Sequence, residues 1–417
     1  MNTNNVNSPK RRFRSFEGEW EQRKLGNIAS MHARIGWQNL RTSEFLDNGD
    51  YYLITGTDFL NGRINFEKCH YVNKERYQQD KKIQVGKGSI LITKDGTLGK
   101  VALVTDLNKP ATLNAGVFNV VVKVPSINET YLYQYLAAPF LMDYVSKRAT
   151  GGTIKHLNQG ILVDFPVDIP SYKEQVTIGQ FLVCLDNAVT LHQHKLDKLK
   201  NLKKAYLSEM FPTEGERVPH RRFPGFEGEW EERKLTEVTE VITKGTTPKD
   251  KSWNGPVNYI KTESINSESS KLVRTSSTTL EEHEGYLSRS KLKTGDVLFS
   301  IVGTLGRVGI VEEEDLPANT NQQIAIIRLL SPSSEFVMYS LKTTSVKSFI
   351  KTDATIGAQP SISLWQIEEL KLLFPTITEQ EAISSYFKVL DRLITLQQQK
   401  LDKLNDLKKA YLNELFV

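Results

Sequence analysis

The chain has 417 residues, enough for two or three domains at about 150 residues each. Hydrophobic residues make up 39% and charged residues 25%, close to a globular average, which excludes a collagenous, low-complexity or wholly disordered chain. Two cysteines, Cys69 and Cys184, cannot form a disulfide framework or a four-cysteine zinc site, and so few are typical of a reducing compartment. The net charge of +5 permits a nucleic-acid partner but is too small to indicate one.

The sequence predicts neither a membrane span nor a secretion signal. Its richest apolar stretch, 131–145, is interrupted by Gln134, Pro139 and Asp143 and is too short to cross a bilayer. The first residues lack the apolar core of a signal peptide. We therefore expect a cytoplasmic protein with no membrane partner.

The chain consists of two copies of one pattern. A lead motif, RRFRSFEGEWEQRKL at 11–25, recurs as RRFPGFEGEWEERKL at 221–235, and KLDKLKNLKKAYLSEMF at 195–211 recurs as KLDKLNDLKKAYLNELF at 400–416. Between these near-identical segments the match is weak, which indicates a shared scaffold that carries two divergent bodies. The predicted parts are an N-terminal segment (1–19), a first body (20–170), a central helix (171–218), a second body (219–375) and a C-terminal helix (376–417).

Both bodies are predicted to be α+β, with a curled, mainly antiparallel sheet. Short β-branched runs such as SILIT and VFNVVVKV in the first body, or DVLFSIVG and IAIIRLL in the second, are bounded by Gly, Asn, Asp or Pro. Helical stretches follow at 129–148 and 334–350.

Several polar loops are candidates for contact with nucleic acid. The turns GTLGK (96–100) and GTLGR (303–307) present backbone amides and a cation, which suits phosphate, although most such turns are only hairpins. The loops 31–41, 151–160, 243–253 and 356–366 carry the side chains that read bases or hold phosphates, and these are also ordinary solvated residues. The candidate contacts are Arg34, Trp37, Lys94, Lys100, Lys155 and His156 in the first body, and Lys244, Thr246, Thr247, Arg307 and Gln359 in the second. Trp37 could equally belong to the core.

Charge and motif searches limit what the bodies do. Residues 20–170 carry 18 basic and 14 acidic side chains, a net charge of +4, whereas residues 230–375 carry 17 and 19, a net charge of −2. The second body would need local basic patches, or phosphate contacts from a partner, to bind DNA. No dinucleotide-binding, zinc-protease, hydrolase or amino-methyltransferase motif is present, so we expect no catalytic residue and no metal site in this chain.

The two repeated helices are predicted to pair with each other. Their apolar residues recur every three and four positions over about three and a half heptads, a seam that needs a partner helix. Polar positions interrupt the seam at matched places, His192 with Gln397 and Lys203 with Lys408. Polar seam residues set the register, although His192 and Gln397 could equally be solvated at a loose point of the seam. The spacing leaves parallel and antiparallel pairing open. The predicted helix-pairing residues are Leu182, Leu185, Val189, Leu196 and Leu199 in the first copy, and Leu390, Ile394, Leu401 and Leu404 in the second.

This duplicated order of motifs resembles the specificity subunit of type I restriction enzymes. The resemblance rests on the two KLDKLxxLKKAYL helices, the paired EWEQRKL and EWEERKL motifs, the GTLGK and GTLGR turns and the helix starts IPSYKEQ and FPTITEQ. It covers essentially the whole chain.

The resemblance implies that each body is a target recognition domain that contacts one half of a bipartite double-stranded DNA sequence. The helices would form an antiparallel coiled coil that sets the spacer and docks two modification subunits. Those subunits would supply S-adenosylmethionine and adenine N6 methylation, and two restriction subunits would add ATP-driven, Mg-dependent translocation and cleavage. This chain itself would need no cofactor.

Two other interpretations fit the sequence. The chain could be a coiled-coil scaffold that presents two β-rich modules to protein partners. It could also be an orphan specificity subunit that serves methylation only. A neighbouring gene for an adenine methyltransferase would favour the DNA-reading interpretation over the scaffold.

Overall fold

The computed structural model describes residues 8–35, 40–148, 156–330, 333–355, 357 and 359–416. The chain divides into two units: unit 1 comprises 1–194 with 399–417, and unit 2 comprises 195–398. The boundaries cut both long helices, so each unit contains one body and a part of each helix. In the described part of the chain, no helix has the length and apolar character needed to cross a membrane.

Unit 1 is built on two four-stranded sheets. Its strands are β1 (Glu21–Lys24), β2 (Ala29–Ala33), β3 (Tyr51–Ile54), β4 (Phe59–Leu60), β5 (Arg63–Ile64), β6 (His70–Val72), β7 (Gln84–Val85), β8 (Ile90–Thr93), β9 (Val101–Leu103), β10 (Ala111–Leu113), β11 (Val117–Val122) and β12 (Pro166–Ile169). One sheet has the order β2-β11-β8-β9 and is wholly antiparallel. In the other, β6-β3-β10-β7, β3 and β10 are parallel and the remaining pairs are antiparallel. β1 pairs with β12 and joins the two ends of the body.

Strand β8 shows how the unit 1 core is layered. Its side chains alternate between the two faces of the sheet, so Ile90 and Ile92 pack in the larger core while Leu91 packs between the two sheets. The larger core is covered by helices. The unit 1 helices are α1 (Leu25–Ile28), α2 (Lys74–Gln78), α3 (Glu129–Ala137), α4 (Pro139–Arg148), α5 (Gln159–Val163) and the first part of α6 (Tyr172–Glu209).

Unit 2 repeats this design with different loops. Its strands are β13 (Glu231–Lys234), β14 (Thr239–Lys244), β15 (Val257–Ile260), β16 (Ser277–Thr278), β17 (Val297–Ser300), β18 (Val308–Ile310), β19 (Ala318–Thr320), β20 (Ile324–Leu329) and β21 (Lys371–Phe374). Its helices are α7 (Leu280–Glu284), α8 (Ser334–Ser340), α9 (Thr344–Asp353), α10 (Leu364–Glu368) and the first part of α11 (Ile377–Glu414). The sheet β14-β20-β17-β18 is antiparallel, and the sheet β16-β15-β19 contains one parallel pair.

The two long helices run antiparallel inside each unit. In unit 1 the start of α6 packs on the end of α11: the rings of Phe181 and Tyr411 are 4.8 Å apart, and Asp186 forms an ion pair with Lys408. The contacting residue numbers rise along α6, from 181 to 186, and fall along α11, from 411 to 408, so the two helices run in opposite directions.

Unit 2 shows the same direction with the helices exchanged. Lys203 of α6 pairs with Asp391 of α11, and the rings of Tyr206 and Tyr386 are 5.4 Å apart. Lys203 and Lys408 occupy matching positions in the two copies, and so do their partners Asp391 and Asp186, so the same ion pair forms in both units. Because a buried lysine without a counter-ion is costly, these pairs favour one register over a slipped one.

The end of each long helix completes the core of the other body. Met210 and Phe211 follow α6 and lie in the unit 2 core, where Phe211 contacts Trp230 with ring centroids 5.9 Å apart. Leu415 and Phe416 follow α11 and lie in the unit 1 core. This exchange explains why the sequence of the helix ends is nearly identical in the two copies.

The lead motif ties the helices together at both ends. Arg12 makes two hydrogen bonds, of 2.7 and 2.8 Å, to Glu174 near the start of α6, and the neighbouring Arg11 binds Glu414 at the end of α11. The Glu174 side chain is only 1% exposed. Such a buried bidentate pair is strongly directional, so it fixes where the helix begins relative to the body.

The same clamp occurs in unit 2. Arg222 makes two 2.7 Å hydrogen bonds to the buried Glu379 of α11, and Arg221 binds Glu209 of α6. The near-identity of the two lead motifs thus has a structural cause, since each must bind the start of one helix and the end of the other.

The α+β class and the mainly antiparallel sheets are confirmed. Of the predicted helix-pairing residues, Leu182, Leu196, Leu390 and Leu401 are buried, and the other five are half-buried. The predicted division treated the helices as separate parts, and each compact unit of the structure contains a part of both helices. Contacts made far along the chain cause this difference, because the end of α11 packs in the first body.

We predict that Phe416→Ala destabilises unit 1, although residue 416 follows the second body. The ring lies 5.6 Å from that of Tyr131 and 5.0 Å from that of Tyr135, and losing a buried Phe side chain costs about 3–5 kcal/mol. Amide hydrogen exchange of the full chain should quicken in α3 and stay unchanged in α8. Leu407→Ala, at a residue of α11 that is 43% exposed, is the matched control. Faster exchange in α8 instead would contradict the exchanged helix ends.

Candidate nucleic-acid interface

Both glycine turns are hairpins locked by a hydroxyl group of the preceding strand. In unit 1 the backbone N–H of Lys100 donates to Thr93 Oγ1 at 2.9 Å, and this hydroxyl donates to a carbonyl inside the turn. In unit 2 the N–H of Arg307 donates to Ser300 Oγ at 2.8 Å, and that hydroxyl again donates into the turn. Two divergent bodies therefore keep one turn conformation.

The last glycine of each turn is required by conformation and by packing. Gly99 has φ +74° and Gly306 has φ +75°, the left-handed region that favours glycine. A Cβ atom would lie 2.2 Å from the sulfur of Met142 at Gly99, and 2.6 Å from Cδ1 of Ile350 at Gly306. The repeated glycines are thus explained by the fold, without any phosphate ligand.

In unit 1 the turn lies beside polar groups from other loops. His156 Nδ1 is 2.6 Å from Asp95 Oδ1, and the backbone N–H of Leu157 donates to the carbonyl of Lys94 at 2.9 Å. The hydroxyl of Thr97 lies 3.4 Å from the carbonyl of a third loop, which follows β3. We call Lys94, Asp95, Thr97 and His156 the unit 1 loop cluster.

Unit 2 brings together the corresponding loops. The N–H of Gly303 donates to the carbonyl of Pro360 at 2.9 Å, which places Gln359 against the glycine turn. Thr247, from the loop after β14, donates to the side chain of Gln322 at 2.5 Å. We call Thr247, Gly303, Gln322 and Gln359 the unit 2 loop cluster. Loops that are remote in sequence thus form one polar surface at the strand ends of each unit.

Two predicted contact residues point inward. Arg34 is only 2% exposed; its Nε donates to the carbonyl of Leu113 at 2.8 Å and its Nη2 to Thr112 Oγ1 at 3.2 Å. Burial lowers the pKa of Arg34 from its ordinary value. Because β2 and β10 belong to different sheets, this guanidinium joins the two sheets. A contact of Arg34 with DNA would require these internal bonds to break.

Arg307 is also engaged internally. Its Nη1 donates to the carbonyls of Thr262 and Ile265, at 3.2 and 3.3 Å. Lys100, at the matching position of unit 1, is exposed. The two turns therefore present different side chains to solvent even though their backbones agree.

The remaining predicted residues lie on or near the loop surfaces. Lys244 is exposed at the end of β14 and Thr246 is half-buried in the following loop. Lys94 is half-buried, with its ammonium 3.9 Å from a carboxylate oxygen of Asp95. Trp37 and Lys155 lie outside the described residues. DNA contact by any of these side chains stays a prediction.

Gln322 and Asp95 were not among the predicted contact residues, and Thr97 was included only as part of the turn GTLGK. Gln322 belongs to the polar run Asn321–Gln323 between two buried strands, a pattern that could have marked an exposed loop at the sheet edge. Within the described ranges, no group of three or more His, Cys, Asp or Glu side chains could hold a metal ion.

One family model matches the chain twice, once in each half. The family model described as "Type I restriction modification DNA specificity domain" matches residues 17–201 and 227–406. The MjaVIII type I restriction enzyme specificity subunit of Methanocaldococcus jannaschii is 24% identical over 379 residues, covering 88% of this chain and 85% of that protein. The EcoBI specificity subunit of Escherichia coli is 23% identical over 74% of this chain and 69% of its own length.

Solved structures agree on the fold. The S subunit of a type I restriction-modification system from M. genitalium superposes with a TM-score of 0.64 at 16% identity, covering 98% of this chain and 99% of that one. A chain from a study of complex assembly and conformational transition of the type I R-M system gives a TM-score of 0.54 at 15% identity, covering 95% and 97%.

Proposed function

The chain belongs to the family of type I restriction modification DNA specificity domains, and on that premise we propose that it reads a bipartite DNA target for a methyltransferase complex. Each unit would contact one half of the target. The main observation behind this proposal is that corresponding loops with different polar side chains, the unit 1 and unit 2 loop clusters, lie on one repeated scaffold.

Differences between the loop clusters support unlike half-sites. Both loop clusters contain a threonine, but the unit 1 loop cluster adds a lysine, an aspartate and a histidine, whereas the unit 2 loop cluster adds two glutamine amides. Amides and cations hydrogen-bond to different base edges, and each good bidentate contact is worth about 1–3 kcal/mol. The two halves of the target should therefore differ in sequence.

The pairing direction of the helices supports a fixed spacer. α6 and α11 exchange roles between the units, so each unit presents the same arrangement of helices and body to one half of a duplex whose strands are related by a local two-fold. Two-fold readers suit half-sites about one helical turn, or roughly 34 Å, apart. The length of the paired helices would then set the number of base pairs between the halves.

Exposed apolar side chains on both long helices, with a row of three at 389–396 on α11, support the docking of partner helices. We call these side chains the docking stripe. Each exposed residue directly precedes a residue of the seam between α6 and α11, and therefore lies about 100° around the helix axis from that seam. Exposed apolar side chains in a row mark a protein contact surface, and an amphipathic partner helix would cover them. We infer that the two modification subunits dock here. The stripe residues are Leu191 and Leu202 on α6, and Val389, Leu393, Leu396 and Leu407 on α11.

We infer that this chain is not itself catalytic. S-adenosylmethionine would bind to the modification subunits, and ATP and Mg to the restriction subunits where these are present. The scaffold alternative shares the docking stripe but needs no polar loop cluster at the strand ends. An orphan subunit that serves methylation only would carry the same features.

Co-expression with the neighbouring modification subunit in a methylation-free host tests the DNA-reading function. Mapping N6-methyladenine across the genome should give one motif with two unlike halves and a fixed spacer, and host DNA without this chain should give none. If an assembled complex that binds S-adenosylmethionine leaves no methylation, the scaffold alternative gains and the proposal fails.

Leu396→Glu should weaken binding of the modification subunit by at least ten-fold, because it places a charge within the docking stripe. Ten-fold corresponds to about 1.4 kcal/mol. Leu280→Glu is the matched control, since Leu280 is 54% exposed in the second body and Leu396 is 52% exposed. The test is titration of the full chain with the purified subunit. Equal affinities of the two variants would remove the stripe from the docking surface.

A further inference from the structure

A lysine-lined cavity in unit 2 has no role in the function proposed so far. It is an open cavity of about 670 Å³ between the end of α6 and the segment from α8 to α9. Five lysines line it: Lys200, Lys203, Lys204, Lys342 and Lys347. Three come from the long helix and two from the recognition body.

Nearby carboxylates neutralise only part of this charge. Lys203 pairs with Asp391, and Lys200 lies 3.0 Å from Glu268. Among the described residues, no carboxylate oxygen lies within ion-pair distance of Lys342 or Lys347. Lys204 and Lys347 therefore have no ion-pair partner among the described residues, and Lys342 adds a further, partial positive charge.

Lys342 is held in the cavity by neutral acceptors. Its ammonium donates to Ser270 Oγ at 2.6 Å and lies 3.4 Å from the backbone carbonyl of Glu268. Burial, with Lys203 nearby, lowers the pKa of Lys342 to about 7. Asp391 and Glu268 act on Lys342 from beyond ion-pair distance, so an anion in the cavity would add the direct contact that favours the charged ammonium.

The position of the cavity links it to the candidate interface. Gly306 of the glycine turn lines the cavity, and Gly303 at the other end of the turn contacts the loop of Gln359. A duplex on the unit 2 loop cluster would therefore have its backbone close to the cavity. Lysine is a point charge that suits phosphate, whereas carboxylate is bound most specifically by the planar fork of arginine.

The negative net charge of the second body means that DNA binding by unit 2 requires a local site for phosphate. The body carries a net charge of −2, so phosphate contacts have to come from a local patch. The end of α6 supplies three lysines from outside the body. The corresponding helix corner of unit 1, residues 136–146, contains no lysine or arginine, and the first body has a net charge of +4 of its own.

We propose that this cavity binds a backbone phosphate of the DNA that unit 2 reads. The site rests on the proposed function, because its ligand is the same duplex. It makes the long helix a direct participant in DNA binding on the unit 2 side, in addition to its pairing and docking roles.

The test compares Lys342→Gln and Lys347→Gln with wild type in the full chain assembled with modification subunits. The probe is a duplex that carries the mapped target, and its Kd is measured over a series of salt concentrations. Each cavity variant should weaken binding equally for all sequences and reduce the slope of log Kd against log salt by about one. Lys293→Gln is the charge-matched control, because Lys293 is exposed in the loop before β17, away from the cavity. Melting temperatures equal to that of wild type exclude misfolding.

Three outcomes would overturn the phosphate site. If wild type binds the target while the cavity variants keep its affinity and salt slope, the site is wrong and the DNA-reading function stands. If wild type binds no duplex, the proposed function fails and the site fails with it. Acylation footprinting separates other ligands: duplex should protect Lys342 and Lys347. Protection by inorganic phosphate alone, or by the modification subunits without DNA, would assign the cavity to another partner.

Discussion

The structure depends on an exchange: each recognition body is closed by the end of a helix that belongs to the other repeat. Phe416 fills the unit 1 core and Phe211 fills the unit 2 core. Burying a large aromatic side chain contributes several kcal/mol, so neither core is complete without the distant helix end. The clamps Arg12–Glu174 and Arg222–Glu379 then fix where each helix starts. Antiparallel pairing within each unit follows from these contacts.

This constraint separates what must be kept from what can vary. The lead motifs, the helix ends and the seam lysines make the same buried contacts twice, which explains their near-identity. The loops at the strand ends carry no such duty beyond the hydroxyl-locked turn at Thr93 and Ser300. They can therefore diverge without loss of the scaffold, as a pair of readers with different targets requires.

Periodicity and repetition predicted much of this architecture. The three-and-four spacing of apolar residues indicated the paired helices, because seam burial repeats with the helical turn. The α+β bodies followed from short β-branched runs. The pairing direction stayed open, since a seam alone is satisfied either way and only contacts such as Asp186–Lys408 decide it.

The candidate nucleic-acid interface was harder to predict, because the sequence does not show whether a polar loop side chain faces the solvent or the interior. Arg34 sits in a polar loop yet joins two sheets from the interior. Gln322 was missed because its neighbour Thr247 is remote in sequence. The lysine cavity is lined by α6 and α9, which are more than 130 residues apart in the sequence. The net charge of the second body is negative, so it gave no sign of a local group of lysines.

Exchanging the two bodies between their lead motifs and helices, followed by mapping of N6-methyladenine, tests whether each unit reads one half of the target through the local two-fold of the duplex. If the two bodies read their half-sites through the local two-fold of the duplex, the exchanged chain binds the same duplex turned end over end. A duplex turned in this way presents the same sequence, read from its other strand. The methylated motif of the exchanged chain should therefore be identical to that of wild type. A motif with its two halves in exchanged order would contradict this mode of reading.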